Sequence, residues 1–119
     1  MRLRAARGAI RVPSDDGEVL LASTERLLSS LLQRNAIDTE DLVSIMFTAT
    51  EDLRSVFPAE AARRMGLGRV PLLCSQEIPV VGAMPSVIRI LVHFHSDRSL
   101  EEVAHVYLDG AESLRDDVD

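Results

Sequence analysis

Over residues 18–35, Leu20, Leu21, Leu27, Leu28, Leu31 and Leu32 recur at helical spacing, with Glu25, Arg26, Ser29, Ser30 and Gln33 between them. This period collects apolar side chains on one face, so the segment is predicted to be a helix that must bury one side against another element. Strand-like segments on either side supply that element. Residues 1–12 read as an opening strand that ends at Pro13 and passes into a Ser14-Asp15-Asp16-Gly17 turn. Residues 42–50, with Val43, Ile45 and Phe47, suit a buried strand, and residues 70–76 and 87–95 read as a third and a fourth, separated by a loop containing Pro79, Gly82 and Pro85. Pro58 opens a short helix over 59–65 that Gly66 and Gly68 end. Another short helix, over 99–104, leads to the apolar segment Val106-Tyr107-Leu108 and an acidic tail. Strands alternating with helices imply one mixed α/β (α+β) sheet with helices packed on it.

At 119 residues the expectation is a single domain, 1–119, around one core. Apolar runs extend only a few residues, far short of the roughly twenty that span a bilayer, so no membrane helix is expected. Arg2, Arg4 and Arg7 precede no apolar stretch suited to a secretory signal, and the first residues read as part of the fold. Cys74 is the one cysteine, which fits a reducing cytoplasm and rules out an internal disulfide. The thirteen basic residues are all arginine, so lysine-based Schiff-base and phosphate-loop chemistry is excluded. Arginine is a permanently charged, planar donor suited to carboxylates, whereas the net charge of −6 disfavours nucleic acid or an acidic membrane as partner. An anionic small molecule needs a locally basic pocket.

Alternation places Arg89 on one strand face with Val87 and Leu91, and Ile88, Ile90 and Val92 on the other. An arginine between two apolar faces either snorkels at a sheet margin or is a charge held for a ligand. Arg7 poses the same alternative on a face with Leu3, Ala5 and Ala9, while Arg2 and Arg4 point the opposite way, toward solvent. Cys74 and Glu77 fall on opposite faces of their strand, so one pocket in one chain can hardly use both. Glu77 alone reads as a solvated strand end. His93 and His95 share a face, but no third ligand follows at a recognisable spacing, and no metal is expected. Tyr107, the single tyrosine, is either a core residue with a satisfied hydroxyl or a ligand contact.

Several fragments occur together and in order: Arg7-Gly8-Ala9, Thr48-Ala49-Thr50-Glu51-Asp52-Leu53, Val56-Phe57-Pro58-Ala59, Val70-Pro71, Gln76-Glu77, Ile88-Arg89, and His105-Val106-Tyr107-Leu108 followed by Leu114-Arg115. No fragment is diagnostic alone, but in this combination the chain resembles the AroH-type chorismate mutases over nearly its whole length. The resemblance implies a homotrimer with a pseudo-α/β-barrel of mixed sheets and an active site between each pair of neighbouring subunits. It implies that Arg7, Glu77, Arg89 and Tyr107, with Leu114 and Arg115, serve one wall. Phe57, Ala59, Arg63, Leu72, Leu73 and Cys74 would come from the adjacent chain.

The implied reaction is the intramolecular [3,3] rearrangement of chorismate to prephenate in aromatic amino acid biosynthesis. It calls for no nucleophile, general base, metal or cofactor. Arg89 would stabilise the ether oxygen, Arg7 and Tyr107 would hold a carboxylate, and Glu77 and Cys74 would bond the ring hydroxyl. Glu60 stands where such enzymes commonly carry a lysine, and its negative charge near a dianionic substrate would raise KM. A non-catalytic trimeric ligand-binding or regulatory module on the same scaffold is the other function considered; Arg89 argues against it.

Overall fold

The leucine-rich segment forms α1 (Gly17–Arg34), and residues just outside it satisfy both of its ends. Asp16, in extended backbone, accepts the Val19 N–H at 3.2 Å and so closes one of the free donors of the first turn. At the other end Asn35, 2% exposed, donates from Nδ2 to the carbonyls of Leu31 and Ala104, both at 2.9 Å. Its Oδ1 accepts the Ala104 N–H at 2.8 Å. One buried amide therefore both ends the helix and ties it to a segment far along the chain. The computed structural model describes residues 1–117.

The other elements are β1 (Arg2–Arg11), β2 (Leu42–Ala49), α2 (Ala59–Arg64), β3 (Leu72–Gln76), β4 (Val87–Ser96) and β5 (Val106–Leu108). They form a five-stranded sheet in the order β3-β2-β4-β1-β5. The central β4 runs antiparallel to both β1 and β2, while the edge strands β3 and β5 run parallel to their inner neighbours. The expected mixed sheet with packed helices is the architecture found. Among the described residues no helix is long and apolar enough to cross a membrane.

One sheet face carries Ala6, Ile10, Ile45, Phe47, Ile88, Ile90, Val92 and Phe94, which merge with Leu20, Leu27, Leu28 and Leu31 of α1 into the main core. Gly8 belongs to this face because nothing larger fits. A Cβ there would lie 2.8 Å from the Val106 carbonyl oxygen and 3.0–3.1 Å from methyl carbons of Leu27 and Leu31. The glycine thus lets α1 and β5 approach β1 closely. Hydrophobic side chains also occupy the opposite face, where Leu3, Met46 and Leu73 are exposed.

Two sequence expectations need correction, and one segment that the sequence does not assign is a strand. The segment expected as a helix over 99–104 is a single 3₁₀ turn, Leu100–Glu102, closed by a capping box between Ser99 and Glu102. Val106-Tyr107-Leu108, too short to show a strand period, is an edge strand beside β1. Arg4 is half-buried rather than solvated, since its Nε donates to the Arg98 carbonyl at 2.8 Å.

Candidate active site

Directly paired residues on neighbouring strands point to the same side of a sheet. The register pairs Ser75 with Thr48, Thr48 with Arg89, Arg89 with Ala9, and Ala9 with Tyr107. These five residues form one row across all five strands, on the face away from α1. Ala9, fully buried and small, separates Arg89 from Tyr107 and leaves the space between them to longer side chains. Arg7 lies two positions from Ala9 on the same face of β1, paired with Leu91. Glu77 continues the β3 edge, its N–H bonded to the Ala49 carbonyl at 2.9 Å.

Within this row Arg89 Nε lies 3.7 Å from Glu77 Oε2, with both side chains about 30% exposed (31% and 29%). Thr48 Oγ1 donates to the same carboxylate oxygen. Glu77 is therefore a half-buried partner of a cation, not a solvated strand end. The Tyr107 hydroxyl is buried and has no hydrogen-bond partner among the described residues, so neither a satisfied core tyrosine nor a surface one describes it. Tyr107 belongs to a small cluster with Ala9, Val87 and Ala111, against which Met84 and Leu114 pack. Three of these, Val87, Met84 and Leu114, also line a cleft of about 310 Å³ whose charged wall includes Glu77 and Arg89. Arg7 takes part in the same face and gives its backbone N–H to His105 Nδ1 at 3.1 Å. That bond requires a lone pair on Nδ1, hence an imidazole that carries no proton there. His93, on the same face, lies 3.4 Å from Ser44 Oγ.

The residues assigned to the second wall lie elsewhere. Phe57, 74% exposed, and Cys74 line a separate depression with Leu53, Val56 and Gln76. Cys74 and Leu72 pack toward the core side of β3, opposite to Ser75 and Glu77. Leu73 points to the other face, paired with Met46, so its side chain does not join Cys74. Ala59 is 3% exposed and packs inward from α2, whereas Arg63 is exposed on α2 and pairs with Glu60 at 3.2 Å. Arg115 is exposed in the last described turn, Glu112–Asp117. The two depressions adjoin at Thr50 and Glu51, but Glu77 and Arg89 line only the first and Phe57 and Cys74 only the second.

Loops around both depressions are held by carboxylates. Asp52 accepts from the Ser86 N–H and hydroxyl at 3.0 and 2.9 Å, and hydrogen bonds from Thr50 and Ser86 hold its pKa below the ordinary value. This contact fixes Ser86 in left-handed backbone (φ 59°) at the start of β4. Asp15 accepts the N–H groups of Arg54 and Ser55 at 2.9 and 3.0 Å, tethering the segment that leads to Phe57. Its pKa is lowered by hydrogen bonds from Ser55 and Arg54. Sequence reasoning did not single out Thr48 or Asp52 as site residues. Thr48 could have been found from the alternation Ser44, Met46, Thr48 across from Arg89; nothing local reveals the 34-residue reach from Asp52 to Ser86.

The family model described as chorismate mutase type I matches residues 3–118. The chain is 47% identical to chorismate mutase AroH of Thermus thermophilus over 118 residues, 98% of this chain and 97% of that protein. It is 37% identical to chorismate mutase AroH of Bacillus subtilis (strain 168) over 119 residues, 99% of this chain and 94% of that one. A solved chorismate mutase from Clostridium thermocellum superposes with a TM-score of 0.91 at 38% identity, covering 92% of this chain and 98% of that one. With one fold, one cleft chemistry and near-complete matches in agreement, the chain belongs to the chorismate mutase type I family, a family of isomerases.

Proposed function

We propose that the protein rearranges chorismate to prephenate in clefts shared between neighbouring chains of a homotrimer, in the cytoplasm, with Arg89 as the electrostatic catalyst. The observation that carries this reading is the row Thr48-Arg89-Ala9-Tyr107, with Glu77 bonded into it and a buried tyrosine hydroxyl left without a partner. Leaving such a hydroxyl unsatisfied costs about 1–3 kcal/mol, which a substrate carboxylate would relieve. The reaction breaks a C–O bond and forms a C–C bond within one molecule, so its electrons need no external acceptor. Negative charge gathers on the departing ether oxygen. A preorganised donor aimed at such charge contributes about 3–4 kcal/mol, near half of the roughly 8 kcal/mol that a millionfold acceleration requires. Holding the substrate in its chair-like reactive shape supplies the remainder.

Arg7 and Tyr107 hold a substrate carboxylate in this scheme, and Glu77 takes the ring hydroxyl. Leu114 and Arg115 cover the first wall. Phe57, Ala59, Arg63, Leu72, Leu73 and Cys74 of the next chain complete the site, with Leu73 and Ala59 contributing backbone or packing rather than exposed polar groups. The opposite placement of Cys74 and Glu77 supports a shared pocket, because one sheet cannot direct both into a single cleft of its own. Exposed Leu3, Met46 and Leu73 on the uncovered sheet face support burial against other copies. The test is to follow chorismate consumption by the purified protein, identify prephenate as product, and repeat the assay with chelator. Turnover that chelator does not change is expected; a folded trimer that binds chorismate without turnover would make the protein a ligand-binding module instead.

A further inference from the structure

Tyr107 sits on β5, a strand of three residues at the edge of the sheet. So short a parallel pairing positions a side chain weakly by itself. Both ends of β5 are held from α1. On the entering side Asn35 clasps both backbone groups of Ala104. On the leaving side Arg26 grips Asp109 with a two-pronged contact, Nη1 to Oδ2 at 2.6 Å and Nη2 to Oδ1 at 3.4 Å. Asp109 (φ 53°) and Gly110 (φ 98°) are both left-handed, so the chain reverses at this point. The reversal returns Ala111 to the cluster that holds Tyr107, and Leu114 against it.

We propose that Arg26 and Asp109 form a positioning pair that sets the Tyr107 hydroxyl for substrate, although neither belongs to the cleft. This rests on the reading of Tyr107 as a carboxylate ligand. Taken alone, a pair exposed at 58% and 41% is a weak surface salt bridge. Its place makes it more than that, because it fixes the turn that decides where the tyrosine ring and its cover of Leu114 sit. Asp109 also suits the job chemically: aspartate tolerates left-handed backbone and offers both oxygens to a guanidinium fork.

The experiment compares steady-state kinetics of the whole enzyme for wild type, Arg26→Gln, Asp109→Asn, Tyr107→Phe and the combination of Arg26→Gln with Tyr107→Phe. Tyr107→Phe is expected to raise KM about tenfold with kcat little changed, as for loss of a hydrogen bond to a charged group. Arg26→Gln and Asp109→Asn should each raise KM about two- to fivefold, and Arg26→Lys should recover part of that rise. In the Tyr107→Phe background Arg26→Gln should raise KM no further, while lowering Tm as it does in wild type. A merely structural pair would shift Tm alone or add its KM effect in both backgrounds, and either result overturns the proposal. An unchanged KM in Tyr107→Phe would remove the ligand role of the tyrosine and the positioning role with it. A clear Tyr107→Phe defect beside a silent Arg26→Gln would sink the positioning role only.

Discussion

Arg89 lies mid-strand between Ile88 and Ile90, both turned into the core, so its backbone is rigid and its side chain can leave the sheet on one side only. Glu77 neutralises part of its charge at 3.7 Å and steadies the fork. Arg89→Met keeps the length of the stem and removes the charge; it is expected to lower kcat at least about a hundredfold with a smaller effect on KM, and near-native turnover would refute the assigned role. Glu60 pairs with Arg63 at 3.2 Å, and in the proposed site it would act in the opposite sense, adding a negative charge beside a dianionic substrate. Glu60→Gln should lower KM about two- to fivefold and leave kcat unchanged, an effect bounded by the worth of an exposed ion pair; a raised KM would show that Glu60 orders Arg63 for binding. Alternation alone revealed the shared face of Arg7 and Ala9 and the opposition of Cys74 and Glu77, since both are consequences of the period of a strand. The burial of the Tyr107 hydroxyl was not legible, because the cluster that holds this residue draws on Ala9 and Val87 of other strands and on Met84 of a loop.

At the level of elements, the long helix and four strands could be read because their periods extend over five residues or more, whereas β5 needs β1 beside it to exist. The turns around the site could not be read, since they are held by single carboxylates reaching across the chain. Asp15 secures the segment before Phe57, Asp52 secures the start of β4, and Asp109 secures the end of β5. Each has a folded-state pKa below its ordinary value of 3.8: for Asp15 and Asp52 through hydrogen bonds led by Ser55 and Thr50, for Asp109 through its bond with Arg26. A group whose pKa falls on folding binds its proton more readily when unfolded, so its stabilisation is complete above 3.8 and is lost as pH drops through the folded value. Tm is therefore expected to fall on acidification below about pH 4, and less steeply in Asp52→Asn, whose starting Tm is lower. An equal pH slope in wild type and variant, measured by thermal unfolding, would contradict the linkage.

For the whole molecule, the central fact is that Glu77 and Arg89 line one depression while Phe57 and Cys74 line another. By strand register Arg89 and Tyr107 share one face, with Glu77 bonded to Thr48 there, whereas Cys74 packs on the core side of β3 and lines a different depression with Phe57. In the proposed cyclic trimer each chain would lend one wall forward and the other backward, and that arrangement makes a direct prediction. Arg89→Ala removes from the first wall the charge proposed as catalytic, and Cys74→Trp would obstruct the proposed second wall. Each variant alone should be nearly inactive. When they are unfolded together in equal amounts and refolded, about a quarter of the interfaces combine an intact Arg89 with an intact Cys74, so activity per site should return to about a quarter of wild type. Mixed trimers, confirmed by mass, that remain no more active than either parent would contradict the shared site.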